Sequence, residues 1–205
     1  MLIKVCGMRE PENIRAIEEA GADLVGFILT QQSPRYVAEP PDPLPRRSRR
    51  VGVFLDQPIP TIIREVQRFQ LHYVQLHGHE TTDDIDRLRA QLPPDVSIIK
   101  AVAISTPDDL AHSARYEGHA DLLLFDTPHS KASTSHPFDW QQLHLYRGTL
   151  PFLLAGAIGP DSIPQLQALH HPRLIGFDIN SRFETRPAFK DPQLVTQFIQ
   201  NIKQP

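Results

Sequence analysis

Cysteine is nearly absent from this chain, since Cys6 is the only one among 205 residues. A single cysteine cannot form a disulfide within the chain, so a disulfide-stabilised scaffold is excluded and a reducing compartment is expected. Apolar runs of the roughly 20 residues that a membrane-spanning helix needs are also missing, and the N-terminus does not resemble a signal peptide. We therefore expect a cytoplasmic protein with no membrane partner.

Several sequence features typical of nucleic-acid, nucleotide or metal binding are absent as well. The charge is nearly balanced, with a net value of -3, so a nucleic-acid partner is not expected. Neither G-x-G-x-x-G nor the P-loop pattern occurs, which argues against the common modes of nucleotide binding. The ten histidines form no His-x-x-x-His pair with a matching carboxylate, so no metal site is expected.

What the chain does contain is a regular alternation of short apolar runs with longer segments of helical period. The runs are near-continuously apolar, which is typical of strands buried on both faces of a parallel sheet. They are Leu2–Cys6, Asp23–Leu29, Val51–Leu55, His72–His77, Ser97–Val102, Asp121–Asp126, Pro151–Ala155 and Leu174–Ile179.

The intervening segments predict helices of unequal length. Asp191 and Pro192 are typical of an N-cap and a first helical residue, and they precede the last helix. The second segment is the exception, because only 13 residues separate Val37 from Val51 and four of them are proline, so at most one helical turn is expected. Eight such units predict a single-domain (β/α)8 barrel over residues 1–205, with an open doubly wound sheet as the alternative.

The candidate functional residues stand where the predicted strands end. In both folds ligands bind at the carboxyl ends of the strands. A thiol, a guanidinium, an imidazole and two carboxylates meet there, which is a reasonable active-site constellation. Each member also has an ordinary interpretation: Cys6 as a small buried apolar residue and His77 as a core histidine bonded to the backbone. The candidates are Cys6, Arg35, His77, Asp126, Gly156, Asp178, Asn180 and Ser181.

The order of short motifs along the chain resembles that of the phosphoribosylanthranilate isomerases, the barrel enzymes of tryptophan biosynthesis. Each motif alone is weak, but a dozen occur in the family's order and at the expected strands or loops. Among them are Lys4-Val5-Cys6-Gly7-Met8, Ser33-Pro34-Arg35-Tyr36-Val37, Val74-Gln75-Leu76-His77-Gly78, Phe125-Asp126-Thr127, Phe138-Asp139-Trp140 and Gly176-Phe177-Asp178.

The resemblance implies an Amadori rearrangement of N-(5-phosphoribosyl)anthranilate without a cofactor. Asp126 would be the general acid that opens the ribose ring, and Cys6 the general base that removes the C2′ proton. Arg35 would bind the anthranilate carboxylate, and Asp178 would lie near the ribose, with His77 as a further substrate contact. The loops after strands seven and eight would bind the phosphate through backbone N–H groups of Gly156, Ala157, Asn180 and Ser181.

This chemistry makes opposite demands on the two catalytic groups. The thiol must lose its proton although a free thiol has a pKa of about 8.5, and the carboxyl must keep one although a free aspartate has a pKa of about 3.9. Burial of the carboxyl, and a cation or N–H groups beside the thiol, would supply these states. Lys4 points to the same side of its strand as Cys6 and is a candidate for that cation.

The departures from the family pattern cluster on the phosphate side of the site. Residues 127–137 contain no glycine, and alanine or arginine stands at three positions where the family commonly has glycine: Ala157, Arg182 and Ala188. Such changes could weaken phosphate binding, because glycine permits positive φ and close backbone approach. Two alternatives therefore stay open: a related barrel enzyme with another anthranilate-like or N-glycosyl substrate, and a non-catalytic ligand-binding barrel. A monomer and a homodimer are both compatible with the sequence.

Overall fold

Eight parallel strands close into a barrel in the computed structural model, which describes residues 1–127 and 138–203. Each strand pairs with the next one along the chain, and the first pairs with the last, so no edge remains open. The closed topology confirms the predicted (β/α)8 barrel and excludes the open sheet. The strands are β1 Leu2–Val5, β2 Leu24–Ile28, β3 Arg49–Phe54, β4 Tyr73–Leu76, β5 Ser97–Ala103, β6 Leu122–Asp126, β7 Phe152–Ala155 and β8 Leu174–Ile179.

Helices of uneven length surround the barrel. Within the described residues, the α-helices are α1 Pro11–Glu19, α2 Ile59–Arg68, α3 Thr82–Arg89, α4 Pro107–His112, α5 Ile163–Gln167 and α6 Pro192–Lys203. Short 3-10 helices cover Ser113–Tyr116, Trp140–Leu145, Pro160–Ser162 and Ser181–Phe183. Asp191 caps α6 as predicted, because its carboxylate accepts hydrogen bonds from the N–H groups of Gln193 and Leu194. No helix in the described part of the chain is long and apolar enough to cross a membrane.

The second helix of the repeat is missing, as the prolines predict. The connection from β2 to β3, described throughout, contains hydrogen-bonded turns but no helix. The carboxylate of Glu18, on α1, accepts hydrogen bonds from the backbone N–H groups of Arg47 and Ser48 at 2.7 and 2.8 Å. The neighbouring helix thus satisfies backbone groups that a helix would have satisfied internally. In the sixth unit the described part of the connection contains a 3-10 helix, Trp140–Leu145.

The alternation of side-chain direction along the strands separates the residues packed under the helices from those inside the barrel. Successive side chains point to opposite faces of a strand, so one set packs under the helices and the other fills the barrel. The interior set forms its own apolar cluster, which includes Leu24, Val51, Ile99, Leu122 and Leu153. At the carboxyl ends polar residues, among them Cys6, Gln75 and Asp126, join apolar ones such as Ile28 and Val53 around a cavity above this interior.

A short antiparallel hairpin, β9 Glu184–Arg186 and β10 Phe189–Lys190, follows β8 and was not predicted. Asn13, buried on α1, anchors it through two hydrogen bonds. Its amide donates to the Lys190 carbonyl, and its carbonyl accepts from the Lys190 N–H, both at 2.8 Å. The first helix therefore holds the hairpin over the end of the barrel that carries the candidate residues.

Candidate active site

A cavity of about 410 Å³ opens at the carboxyl ends of the strands. It brings together eight of the nine sequence-predicted residues: Cys6, His77, Asp126, Gly156, Ala157, Asp178, Asn180 and Ser181. Arg35 does not line the cavity, but its Cδ packs beside Gly7, the residue after Cys6. Among the described residues no group of three or more His, Cys, Asp and Glu side chains is arranged to hold a metal.

Cys6 lies at the end of β1 beside a buried ion pair. The Lys4 ammonium binds the Asp178 carboxylate at 2.8 Å, across the β1–β8 pairing that places these two residues opposite each other. Both the Cys6 thiol and the Lys4 ammonium pack against Gly26 on β2. A Cβ at that position would lie 3.0 Å from the Cys6 Sγ and 3.2 Å from the Lys4 Nζ. The absence of a side chain at Gly26 thus gives the thiol and the ammonium their space.

The pKa of the Cys6 thiol differs from the expectation that nearby cations would lower it. Burial raises the pKa of the Cys6 thiol, and the nearby Asp178 carboxylate adds to this effect. The ammonium groups of Lys4 and Lys190 lower it, as the sequence suggested for Lys4, but they do not overcome burial, and the net direction is upward. In the unliganded site the thiol is therefore held mainly in its protonated form.

Asp126 lies at the end of β6 and forms a chain of contacts with two residues of β4 and its following loop. Its Oδ2 lies 3.2 Å from Nε2 of His77, and Nδ1 of the same ring lies 3.1 Å from the Gln75 amide nitrogen. The Asp126 side chain is 31% exposed, so the full burial expected of the acid is not observed. His77 is not a core histidine bonded to the backbone, because its side chain is 38% exposed and contacts two side chains.

A buried ion pair supports the loop that carries His77. The Lys100 ammonium binds the Glu80 carboxylate at 2.8 Å and the Gly78 carbonyl at 2.7 Å. Glu80 in turn accepts hydrogen bonds from the backbone N–H groups of Gly78 and Asp56. Both charged side chains are at least nine-tenths buried. The loops after β3 and β4 are thereby tied to β5, and the position of the imidazole depends on this pair.

Replacing Lys100 by methionine should lower the free energy of unfolding by about 3–5 kcal/mol, because it leaves the Glu80 carboxylate buried without its cation. For a chain of this size we expect the melting temperature to fall by roughly 10 °C. Thermal and urea unfolding measure this effect. Lys203→Met is the matched control, since Lys203 forms a more exposed ion pair with Asp23. Equal losses in the two variants would contradict the structural role of Lys100.

Arg35 already has a carboxylate partner within the chain. Its Nε and Nη2 bind the two oxygens of Glu184 at 2.8 and 2.6 Å. Glu184 is itself held by the Lys190 ammonium at 2.6 Å, and that ammonium also binds Asn180 at 2.8 Å. A guanidinium has five N–H donors, and Nη1 and the second N–H of Nη2 have no partner among the described residues. Glu184 therefore fixes the plane of the guanidinium.

Glu184 is ionised in this network. Burial alone would raise the pKa of its carboxyl, but the hydrogen bonds from Arg35 and Lys190 outweigh burial and hold the pKa below its usual value. The hairpin thus presents a permanent negative charge between two cations. That arrangement stabilises the guanidinium in one orientation over a wide pH range.

The loops after β7 and β8 keep the backbone conformations that glycine would favour. Gly156 has a φ of 86°, and a Cβ there would lie 2.2 Å from the Thr127 carbonyl oxygen, so only glycine fits. Ala157 and Ala188 adopt φ values of 55° and 64°, in the left-handed region. An L-residue in that conformation costs about 1–2 kcal/mol. The alanines thus preserve the geometry of these turns at some expense of stability.

Arg182 covers one side of the same loops. Its guanidinium donates to the Ala157 carbonyl and to the Asp161 carboxylate, both at 3.0 Å. It lines the active-site cavity and also a second cavity of about 420 Å³, which contains Trp140. A cation therefore stands beside Ala157. The glycine-poor segment that the sequence highlighted, apart from Thr127, lies outside the described residues.

Comparison with known proteins identifies the family. The family model for N-(5'-phosphoribosyl)anthranilate (PRA) isomerase matches residues 3–201. This chain belongs to that family. The prediction of an isomerase of tryptophan biosynthesis, made from the order of motifs, is thereby confirmed.

Individual relatives agree with this result. The N-(5'-phosphoribosyl)anthranilate isomerase of Phocaeicola vulgatus is 46% identical over 205 residues, covering 100% of this chain and 98% of that protein. Among solved structures, a phosphoribosyl anthranilate isomerase in complex with reduced 1-(o-carboxyphenylamino)-1-deoxyribulose 5-phosphate superposes with a TM-score of 0.83 at 28% identity, over 99% of this chain and 98% of the other. Monomers generated from the dimeric isomerase of Thermotoga maritima give 0.82 at 27% identity, over the same shares of both chains.

Three residues in or beside this candidate site were absent from the predicted set. Gln75, on β4, stands two positions before His77, which directly follows that strand, so the period of two along a strand could have found it. Glu184 and Lys190 carry no comparable signal, because they lie on a hairpin whose strands have three and two residues. Such short strands have no detectable alternation.

Proposed function

We propose that the cavity around Cys6 and Asp126 is where this isomerase converts N-(5'-phosphoribosyl)anthranilate into the corresponding aminoketose. Asp126 protonates the ribose ring oxygen, and the ring opens to a Schiff base. Cys6 removes the C2′ proton, and the resulting enolamine tautomerises to the ketone. The observation that carries this proposal is the placement of thiol and carboxyl on the wall of one cavity at the carboxyl ends of β1 and β6.

The thiol must ionise within the substrate complex, since the unliganded site holds it protonated. The protonated Schiff base provides the driving force, because its positive charge makes the C2′ proton acidic and stabilises a nearby thiolate. Lys4 keeps its own charge: burial lowers its pKa, but attraction to Asp178 and Cys6 outweighs this and raises the pKa overall. A permanent ammonium beside the sulfur therefore stabilises the thiolate once it forms.

The two ends of the substrate fit the charges around the cavity. The outer edge of the Arg35 guanidinium, held by Glu184, would bind the anthranilate carboxylate. The backbone N–H groups of Gly156, Ala157, Asn180 and Ser181 would bind the phosphate, with Arg182 as an additional cation. His77 and Asp178 would contact the ribose between these ends. The proposed ligand is a phosphorylated small molecule, and the reaction as written uses no cofactor.

The whole barrel, residues 1–205, is proposed to work as one domain. All proposed contacts come from a single chain, so both a monomer and a homodimer would have complete sites. A cytoplasmic location is proposed, because the lone cysteine is suited to a reducing compartment.

The direct test mixes the purified protein with freshly made phosphoribosylanthranilate and follows the loss of the substrate's fluorescence. We expect rapid loss that saturates with substrate concentration. A folded protein that leaves the fluorescence at the uncatalysed rate would overturn the proposed function.

Replacing Glu184 by glutamine should raise KM about tenfold with a smaller effect on kcat, because the guanidinium loses the charge that orients it. The inhibition constant of free anthranilate, which has the carboxylate but no phosphate, should rise in parallel. Glu39→Gln is the matched control, since Glu39 pairs with Arg68 on an exposed surface. An unchanged inhibition constant for anthranilate in Glu184→Gln would contradict the role given to Arg35.

A further inference from the structure

Gln75 combines complete burial with an unused hydrogen-bonding atom. Its side chain is 0% exposed, and its Oε1 has no hydrogen-bond partner among the described residues. A buried polar atom without a partner costs about 1–3 kcal/mol, so it is rarely kept without a purpose. Gln75 also lines the active-site cavity, as do Cys6 and Asp126.

The second unpartnered oxygen on this cavity belongs to Asp178. Its Oδ2 is bound by Lys4, whereas its Oδ1 is buried without a partner in the described part of the chain. These two buried acceptors belong to residues that line one cavity, so both can accept hydrogen bonds from donors of a bound ligand. An open-chain sugar has hydroxyl donors, and the amine that links it to the aromatic ring provides an N–H.

We propose that Gln75 is a substrate-binding residue whose carbonyl accepts a hydrogen bond from a hydroxyl or amine N–H of the sugar portion. This inference rests on the proposed function of the cavity. The other end of the same amide acts as a positioning group: its nitrogen donates to Nδ1 of His77 at 3.1 Å. Nδ1 is then an acceptor, so the ring proton resides on Nε2, which faces Asp126 at 3.2 Å.

Exchanging the oxygen and nitrogen positions of the Gln75 amide would change the tautomer of His77. If the carbonyl faced Nδ1, the imidazole would have to carry its proton there, and an N–H donor would face the sugar in place of an acceptor. The tautomer of His77 in the free protein therefore reports the orientation of Gln75 independently of turnover.

The first measurement is the pair of ¹⁵N chemical shifts of the His77 ring in the unliganded protein at a pH where the ring is neutral. We expect Nε2 protonated and Nδ1 unprotonated in the wild type, and a shift of the balance toward Nδ1–H in Gln75→Glu, which replaces the donor by an acceptor. A wild-type ring protonated on Nδ1 would overturn the assignment of the amide.

The second measurement compares kinetics of Gln75→Met, which keeps the length of the side chain but removes both polar ends. We expect kcat/KM to fall about tenfold to hundredfold, as one substrate hydrogen bond and the orientation of His77 are lost. Thr30→Val is the matched control, because the Thr30 hydroxyl is also buried without a partner among the described residues but does not line this cavity. We expect wild-type kinetics from it.

The outcomes separate the two proposals. A wild type that does not consume phosphoribosylanthranilate contradicts the proposed function. An active wild type with an equally active Gln75→Met variant contradicts only the role of Gln75. Equal losses in Gln75→Met and Thr30→Val would assign the effect to general perturbation of buried polar groups, which also overturns the proposal.

Discussion

Replacing Cys6 by serine should reduce kcat by about 100-fold to 10,000-fold, the usual contribution of a positioned general base. A serine hydroxyl occupies nearly the same space as the thiol but ionises far less readily, so removal of the C2′ proton becomes slow. We expect KM to change little, because the proposed contacts of carboxylate and phosphate lie elsewhere. The loss of substrate fluorescence measures both constants.

An isotope effect identifies the affected step in this variant. With deuterium at C2′, abstraction of the proton should limit the rate of Cys6→Ser, so a primary isotope effect should be fully expressed. The melting temperature provides the control for folding. Near-normal turnover in Cys6→Ser would remove the thiol from the mechanism.

Replacing Asp126 by asparagine should cause a loss of similar size, about 100-fold to 10,000-fold, for a different reason. Asparagine keeps the shape of the carboxyl but has no acidic proton to give to the ribose ring oxygen. Opening of the ring should become rate-limiting. We therefore expect little isotope effect from deuterium at C2′, in contrast to Cys6→Ser.

The control for Asp126 lies at the opposite end of β6, just before the strand begins. Asp121 stands next to the amino-terminal end of β6, where it pairs with Arg89 and accepts a hydrogen bond from the Ile98 N–H at 2.7 Å. At that end of a barrel, charged residues contribute to stability and not to catalysis. Asp121→Asn should lower the melting temperature and leave kcat unchanged. An Asp126→Asn variant with wild-type kcat, or a full isotope effect in it, would contradict the assignment of the acid.

The sequence alone predicted the barrel and most of its candidate site for a simple physical reason. Strands buried on both faces are read as continuous apolar runs, and parallel strands place their ends at one face, so residues distant in sequence can be grouped there. Cys6, His77, Asp126 and Asp178 were grouped in this way, and the cavity contains all four. The prolines between Val37 and Val51 likewise predicted the missing helix, because proline lacks the N–H that a helix requires.

Only the tertiary structure decided how those groups are charged and oriented. The sequence could place Lys4 on the side of Cys6, but burial, which no local pattern reports, determines that the thiol pKa rises in spite of that ammonium. Arg35 and Glu184 are 149 residues apart, and their pairing depends on a hairpin too short to be detected. The unpartnered oxygen of Gln75 is equally invisible in sequence, because the absence of a partner is a property of all the atoms that surround it in the folded chain.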